Sequence, residues 1–110
     1  MTLRQYFLEH KAEERIITEG TEEVKVLILP LNNEPTKDRH NQYLVYDKDF
    51  PTTLYILVRK SSGLYVIPHS TLLANHNGLS TTAKENYLKI IEDLKKQNIK
   101  YELNEDHYAF

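Results

Sequence analysis

The side chains best suited to chemistry in this sequence are five histidines, His10, His40, His69, His76 and His107. His69 and His76 lie closest together, but the six residues between them match neither a helical metal-binding pair nor a compact loop site. His69-Ser70-Thr71 has a His-x-Thr pattern that acts in catalysis only when two such elements face each other, and no other histidine is followed by a similar pattern. We therefore predict no metal site, and His69 is predicted to be a structural histidine at the end of a strand.

Carboxylates offer no complete catalytic set either. Glu23-Val24-Lys25 has the spacing of a magnesium nuclease motif, but the aspartate required on a preceding strand is missing, since the first aspartate is Asp38. A hydrolase or transferase would instead need four side chains to converge on one pocket, namely Asp47, Asp49, His69 and His76. The sequence leaves that convergence open and favours a non-enzymatic protein without a cofactor.

Aromatic and basic residues alternate in the middle of the chain. Tyrosines on a sheet beside cationic side chains can stack the bases of single-stranded nucleic acid, although tyrosine is also a common strand residue. The residues that would form this surface are Tyr43, Tyr46, Tyr55, Tyr65, Arg59 and Lys60. Ser61-Ser62-Gly63 is predicted to be a hairpin turn and not a phosphate-binding loop, because no helix begins there.

Length and composition limit the class of protein. The 110 residues predict a single domain, and a formal net charge of −2 with mixed signs disfavours a nucleic-acid polycation. No cysteine is available for a disulfide, no signal-peptide pattern opens the chain, and the longest apolar run covers only residues 26–31. These features predict a cytoplasmic protein without membrane contact.

Hydrophobic spacing predicts an α+β fold. Thr2 and Gln5 form a capping box at the start of a helix over residues 3–14, and strands follow at 15–19 and 22–29. A central hairpin is predicted at about 54–68, and its first strand is apolar on both faces, so both faces should be covered. The predicted sheet is mostly antiparallel and has four to six strands.

The C-terminal part predicts a second helix at about 83–98, which packs on the sheet through Tyr87, Ile91 and Leu94. Lys84, Glu92 and Lys96 should face solvent on its other side. A short strand at 100–103 would then fit a parallel crossover. Residues 104–110 are predicted to form a tail, whose docking the sequence leaves open.

One long polar segment, residues 32–42, has no periodicity and is the predicted functional loop. With the tyrosines of the sheet it favours a protein that binds a macromolecular partner, most readily another protein, as accessory, immunity or inhibitor proteins of phages and mobile elements do. The oligomeric state, including a homodimer, is open. The predicted contact residues are Asn33, Lys37, Arg39, His40, Tyr43, Tyr55, Arg59, Lys60 and Tyr65.

The central hairpin and the second helix together resemble the VRR-type modules of the PD-(D/E)xK nuclease superfamily. The resemblance rests on Phe50-Pro51-Thr52, on the hairpin that ends at His69, and on Asn77-Gly78-Leu79-Ser80 before the helix. Thr52, Ile67 and His69 stand where that family has its metal-binding aspartate, glutamate and lysine. The resemblance therefore implies a nuclease-like fold without nuclease activity, and it supports nucleic-acid binding or processing as the alternative function.

Overall fold

The computed structural model describes residues 1–32, 41–60, 62–74 and 81–109, with the side chains of residues 19 and 81 left aside. These residues form an α+β fold, as predicted, with a largely antiparallel sheet and helices on one of its faces. The helices are α1 (Leu3–Glu9), α2 (His69–Leu73) and α3 (Thr81–Lys96). The strands are β1 (Glu13–Glu19), β2 (Glu22–Pro30), β3 (Asn41–Asp47), β4 (Thr53–Lys60), β5 (Gly63–Ile67), β6 (Glu102–Leu103) and β7 (Tyr108–Ala109). No helix in these ranges has the length and apolar character needed to cross a membrane.

The N-terminal helix begins where the sequence predicts but ends earlier. The Gln5 amide donates to Thr2 Oγ1 at 3.2 Å, and the Thr2 amide donates to Gln5 Oε1 at 2.7 Å, which completes the capping box. The predicted extension to residue 14 is wrong. Lys11 adopts a left-handed conformation with φ of 59°, which ends the helix, and Glu13 already pairs with Ile28 as the first residue of β1.

Strands β1 to β5 form an antiparallel meander in sequence order, and β4 lies near its centre. The predicted central hairpin is β4 and β5, paired from Ile56 with Ile67 to Lys60 with Gly63. The described sheet has seven strands rather than four to six, because two very short C-terminal strands join it. Gly63, the first residue of β5, has a positive φ of 140°, a conformation that favours glycine, and Ser62 before it is in a turn, whereas Ser61 lies outside the described residues.

The C-terminal segment adds two short strands to the sheet. β6 runs parallel to β4 and pairs Leu103 with Leu54, beside the part of β4 that lies beyond the end of β5. This is the parallel crossover that the sequence predicts after the second helix. β7 then pairs antiparallel with the outer edge of β5, joining Tyr108 to Val66, so this part of the predicted tail docks on the sheet.

The main core lies between the helices and one face of the sheet. Tyr87, Ile91 and Leu94 of α3 are buried there, as the sequence predicts, together with Leu3 and Phe7 of α1. Glu92 and Lys96 face solvent, whereas Lys84 is half-buried and not solvated as predicted. Both α1 and α3 contribute to this one core, so the opposite face of the sheet gains no helix from the described residues.

Candidate functional site

The face of the sheet opposite α3 carries its own apolar cluster. We call this face the pocket face. Alternation along the strands places one set of side chains in the main core and the next set on the pocket face. All members of this cluster that the structure describes come from strands. The buried members are Ile17, Val26, Ile28, Val45, Leu57 and Val66.

A cavity of about 280 Å³ opens in the pocket face. Aliphatic side chains from β1 to β5 form its floor, and a carboxylate with three aromatic rings completes its lining. The floor is Ile17, Val24, Val26, Val45, Leu57 and Val66, and the other lining residues are Asp47, Phe50, Tyr55 and Tyr108. The cavity is therefore an apolar recess bordered at one side by polar and aromatic groups, the usual chemistry of a binding pocket.

The turn between β3 and β4 positions this border. The Asp49 amide donates to Asp47 Oδ1 at 2.9 Å, and the Phe50 amide donates to the Asp47 carbonyl at 3.0 Å. These bonds hold the turn in the shape that presents Phe50, whose side chain is 55% exposed. The Phe50 and Tyr55 rings meet edge to face, with centroids 6.3 Å apart and planes at 76°.

Tyr55 shares the lining of the cavity with Tyr108 of the C-terminal strand, whose hydroxyl donates to Asn104 Oδ1 at 3.5 Å. Burial raises the pKa of Tyr55 to about 12, and the neighbouring Tyr108 phenol and the Asp47 and Asp106 carboxylates act in the same direction. The phenol thus stays protonated near neutral pH. The border of the cavity consequently holds a protonated tyrosine in the field of the Asp47 and Asp106 carboxylates.

A smaller recess of about 70 Å³ adjoins the cavity on the same face and shares Ile17 and Leu57 with it. Its cationic lining residues are Arg15, whose guanidinium is 3.0 Å from the Glu13 carboxylate, and Arg59. Tyr43 completes the aromatic part of the lining. The described charged residues are therefore divided between the two recesses, with Asp47 in the larger one and Arg15 and Arg59 in the smaller one.

The structure separates the contact residues predicted from the sequence. Tyr43, Tyr55 and Arg59 lie together on the pocket face. Tyr65 is level with Val58 of the main core and so lies on the opposite face, with the Lys60 Nζ 5.3 Å from its ring centroid. Tyr46 is buried in the main core, so the predicted aromatic residues do not share one stacking surface. The remaining predicted contacts, Asn33, Lys37, Arg39 and His40, fall outside the described residues, as does most of the predicted 32–42 loop.

The described members of the predicted catalytic group do not converge. Asp47 borders the cavity and Asp49 is exposed in the turn beside it. His69 is fully buried against α3: its Nε2 donates to the Leu54 carbonyl at 3.0 Å, and its Nδ1 accepts from the Tyr87 hydroxyl at 2.8 Å. Burial lowers the pKa of His69, which keeps the ring neutral. His76 lies outside the described residues.

The positions that correspond to nuclease metal ligands are dispersed in the same way. Thr52 is in the turn before β4, and Ile67 is in the main core. His69 is buried and hydrogen-bonded to Tyr87 of α3. Within the described ranges, no group of three or more histidine, aspartate or glutamate side chains is placed to hold a metal ion. Among the described residues, the predicted catalytic side chains and the nuclease-ligand positions are therefore not brought together at the cavity.

Sequence reasoning missed the parts of the cavity that come from turns and short strands, above all Phe50 and Tyr108. One signal was present: β2 is apolar on both faces, through Val24, Val26 and Ile28 on one side and Leu27 and Leu29 on the other. Such a strand predicts a second apolar face of the sheet. Comparisons with protein-family models, with curated proteins and with solved structures give no match to this chain.

Proposed function

We propose that this protein is a non-enzymatic binding protein that engages a protein partner through the pocket face. The observation that carries the proposal is the cavity itself, with an aliphatic floor, an aromatic border and an exposed Phe50 beside it. Partner recognition typically depends on a few apolar or aromatic anchors that enter such recesses, surrounded by polar groups. In this proposal the partner inserts one apolar anchor over Val45 and Leu57.

The charge pattern supports a partner surface rather than a small apolar ligand alone. Asp47 and Arg59 flank the recess at opposite ends and would set the orientation of a segment lying across it. By extrapolation of the strand register, Asp47 is level with Thr53, so the two charges are roughly 20 Å apart along the strands at about 3.3 Å per residue. That length suits an extended peptide segment. We place this activity in the cytosol, in keeping with a chain that has no cysteine.

The test is capture of a partner by immobilised protein, using the exposed ring as the discriminating residue. Wild type should retain a stoichiometric protein from host lysate, and Phe50→Asp should lose it, because the substitution puts a second carboxylate at the mouth of the cavity. Leu88→Ala is the matched control, since Leu88 is an exposed apolar residue, at 47%, on α3 and away from the pocket face. Equal capture by Phe50→Asp and wild type, or no stoichiometric protein, would contradict the proposal.

Nucleic-acid binding by a nuclease-like module is the alternative, favoured by the common position of Arg59, Tyr43 and Tyr55 on one face. Phosphate contacts release counterions, so this binding must weaken as salt rises. Fluorescence anisotropy with single- and double-stranded oligonucleotides should then show binding at about 50 mM salt that Arg59→Ala reduces. Absence of binding at that salt concentration excludes the alternative.

A further inference from the structure

We propose that the border of the cavity is a recognition site for the alkylammonium group of a lysine side chain of the partner, either free or N-methylated. The site comprises Asp47, Phe50, Tyr55 and Tyr108, and the partner's lysine would lie across it with its methylenes over the aliphatic floor. This inference rests on the proposed function, because a protein partner presents the lysine.

The aromatic geometry is the first argument. The Phe50 and Tyr55 rings stand at 76° to each other with centroids 6.3 Å apart, so they form two walls of a corner rather than a flat stack. Tyr108 lines the same cavity as a third ring, and its hydroxyl donates to Asn104 Oδ1 at 3.5 Å. Ring faces attract cations, and several rings around one ammonium group are the usual means of recognising methylated lysine.

Charge is the second argument. Asp47 is the only charged residue among the described lining of this cavity, and the arginines of the pocket face line the neighbouring recess instead. One oxygen of Asp47 accepts the Asp49 amide, and the other is not used by that bond. The field of Asp106 adds to that of Asp47 at the Tyr55 hydroxyl, as the raised pKa of Tyr55 reflects. Arg15 is level with Asp47 two strands away, but its guanidinium is paired with the Glu13 carboxylate at 3.0 Å and it does not line this cavity. The charge of the described cavity lining therefore attracts a cation.

The aliphatic floor explains why the ligand is an alkylammonium rather than an inorganic cation. Val24, Val26 and Val45 offer no oxygen ligands from their side chains, and metal ions such as calcium and magnesium require several oxygens. A lysine has a four-carbon stem that packs on apolar surface while its head remains at a polar border. The composition of the cavity thus matches both parts of that side chain.

The experiment titrates the full chain with three blocked amino acids and follows backbone amide shifts by NMR. The probes are N-acetyl-lysine methylamide, its Nζ-trimethylated form, and the norleucine analogue, which keeps the alkyl stem but lacks the charge. The trimethylated probe should bind at least about fivefold more tightly than the norleucine probe. The shifts should centre on the β3–β4 turn and on β7, and the advantage of the charged probes should shrink as salt is added.

Two carboxylate variants make the test specific. Asp47→Asn keeps an oxygen for the Asp49 amide but removes the charge, so it should lower the affinity of the charged probes and leave the norleucine probe unaffected. Asp49→Asn is the matched control, because Asp49 is exposed in the same turn and does not line the cavity. Phe50→Leu should also weaken the charged probes, since it replaces the ring by an aliphatic group.

The outcomes separate this inference from the proposed function. Norleucine binding in the cavity as tightly as the lysine probes overturns the ammonium site but leaves an apolar anchor site, so the partner proposal stands. Shifts from none of the probes, or equal losses in Asp47→Asn and Asp49→Asn, also overturn the ammonium site. Selective binding that fails only in Asp47→Asn and Phe50→Leu supports it, even if lysate capture recovers no partner.

Discussion

Replacing Leu94 with alanine is expected to lower the free energy of unfolding by about 2–5 kcal/mol. Leu94 is completely buried in the main core, where α3 packs on the sheet. The substitution removes the buried Cγ methine with its two methyl groups and leaves a cavity, because the surrounding side chains can relax only in part. A loss of this size is a large fraction of the roughly 5–15 kcal/mol total stability of a small domain. Urea or thermal unfolding measures it directly.

Leu88→Ala on the same helix is the matched control. Leu88 is 47% exposed, so the same chemical change should alter stability by no more than about 0.5 kcal/mol. Equal stability of the two variants would show that α3 does not pack on the sheet through its Tyr87, Ile91 and Leu94 stripe.

Replacing His69 with alanine should lower the free energy of unfolding by about 2–5 kcal/mol at pH 8. This figure combines the cost of the cavity left by the ring with the cost of the lost hydrogen bonds. The imidazole lies between the Leu54 carbonyl and the Tyr87 hydroxyl, at 3.0 and 2.8 Å, and it is fully buried. Its removal leaves the Tyr87 hydroxyl without that acceptor in an apolar core, and it leaves the volume of the ring empty.

The difference in the free energy of unfolding between wild type and His69→Ala should become smaller as the pH falls. Burial lowers the pKa of His69 in the folded state below the ordinary value of 6.5. Between these two pKa values the unfolded chain binds a proton that the folded protein does not, so acid favours unfolding of the wild type. The stability that the neutral His69 gives the wild type is present in full above about pH 6.5. Below that pH the free energy of unfolding falls by at most about 1.4 kcal/mol per pH unit. The alanine variant lacks this loss.

Unfolding curves of the two proteins at several values between about pH 5 and pH 8, spanning the ordinary histidine pKa, measure the narrowing. His107→Ala is the control, because His107 is exposed and its removal should change stability little at any of these values. A difference between wild type and His69→Ala that stays constant over the whole range would contradict the buried, neutral histidine.

Local sequence signals predicted the elements whose hydrogen-bond partners lie close by in the chain. The capping box at Thr2 and Gln5 forms as written, and the stripe of Tyr87, Ile91 and Leu94 marks the buried side of α3. The central hairpin follows from two β-rich runs around a turn with glycine. In each case propensity, periodicity and turn chemistry agree, which is the condition for reliable inference from one sequence.

Elements decided by distant contacts escaped prediction. Glu13 and Glu14 continue a helical pattern, yet they pair with Ile28 and Leu27 because ladder hydrogen bonds outweigh helix propensity there. The cavity is harder to predict from the sequence than a single strand. Phe50 and Tyr108 are 58 positions apart in the chain, and they line the same cavity only because β7 pairs with β5. The sequence predicts that both faces of β4 are covered, yet α1 and α3 pack on the same face, and the pocket face gains no helix from the described residues.

The place of β6 also constrains the order in which the chain can fold. Strands β1 to β5 pair with their neighbours in sequence, so their hairpins close at a small entropic cost. The pairing of Leu103 with Leu54 must instead bring together the ends of a loop that holds β5, α2 and α3. Non-local contacts of this kind form after the local ones. We therefore infer that the meander forms first and that β6 closes its edge late, after α3 has packed. The amide of Asn104, which donates to the Leu54 carbonyl at 3.0 Å, would then gain hydrogen-exchange protection after the amides of the meander, and protection gained at the same time would exclude this order.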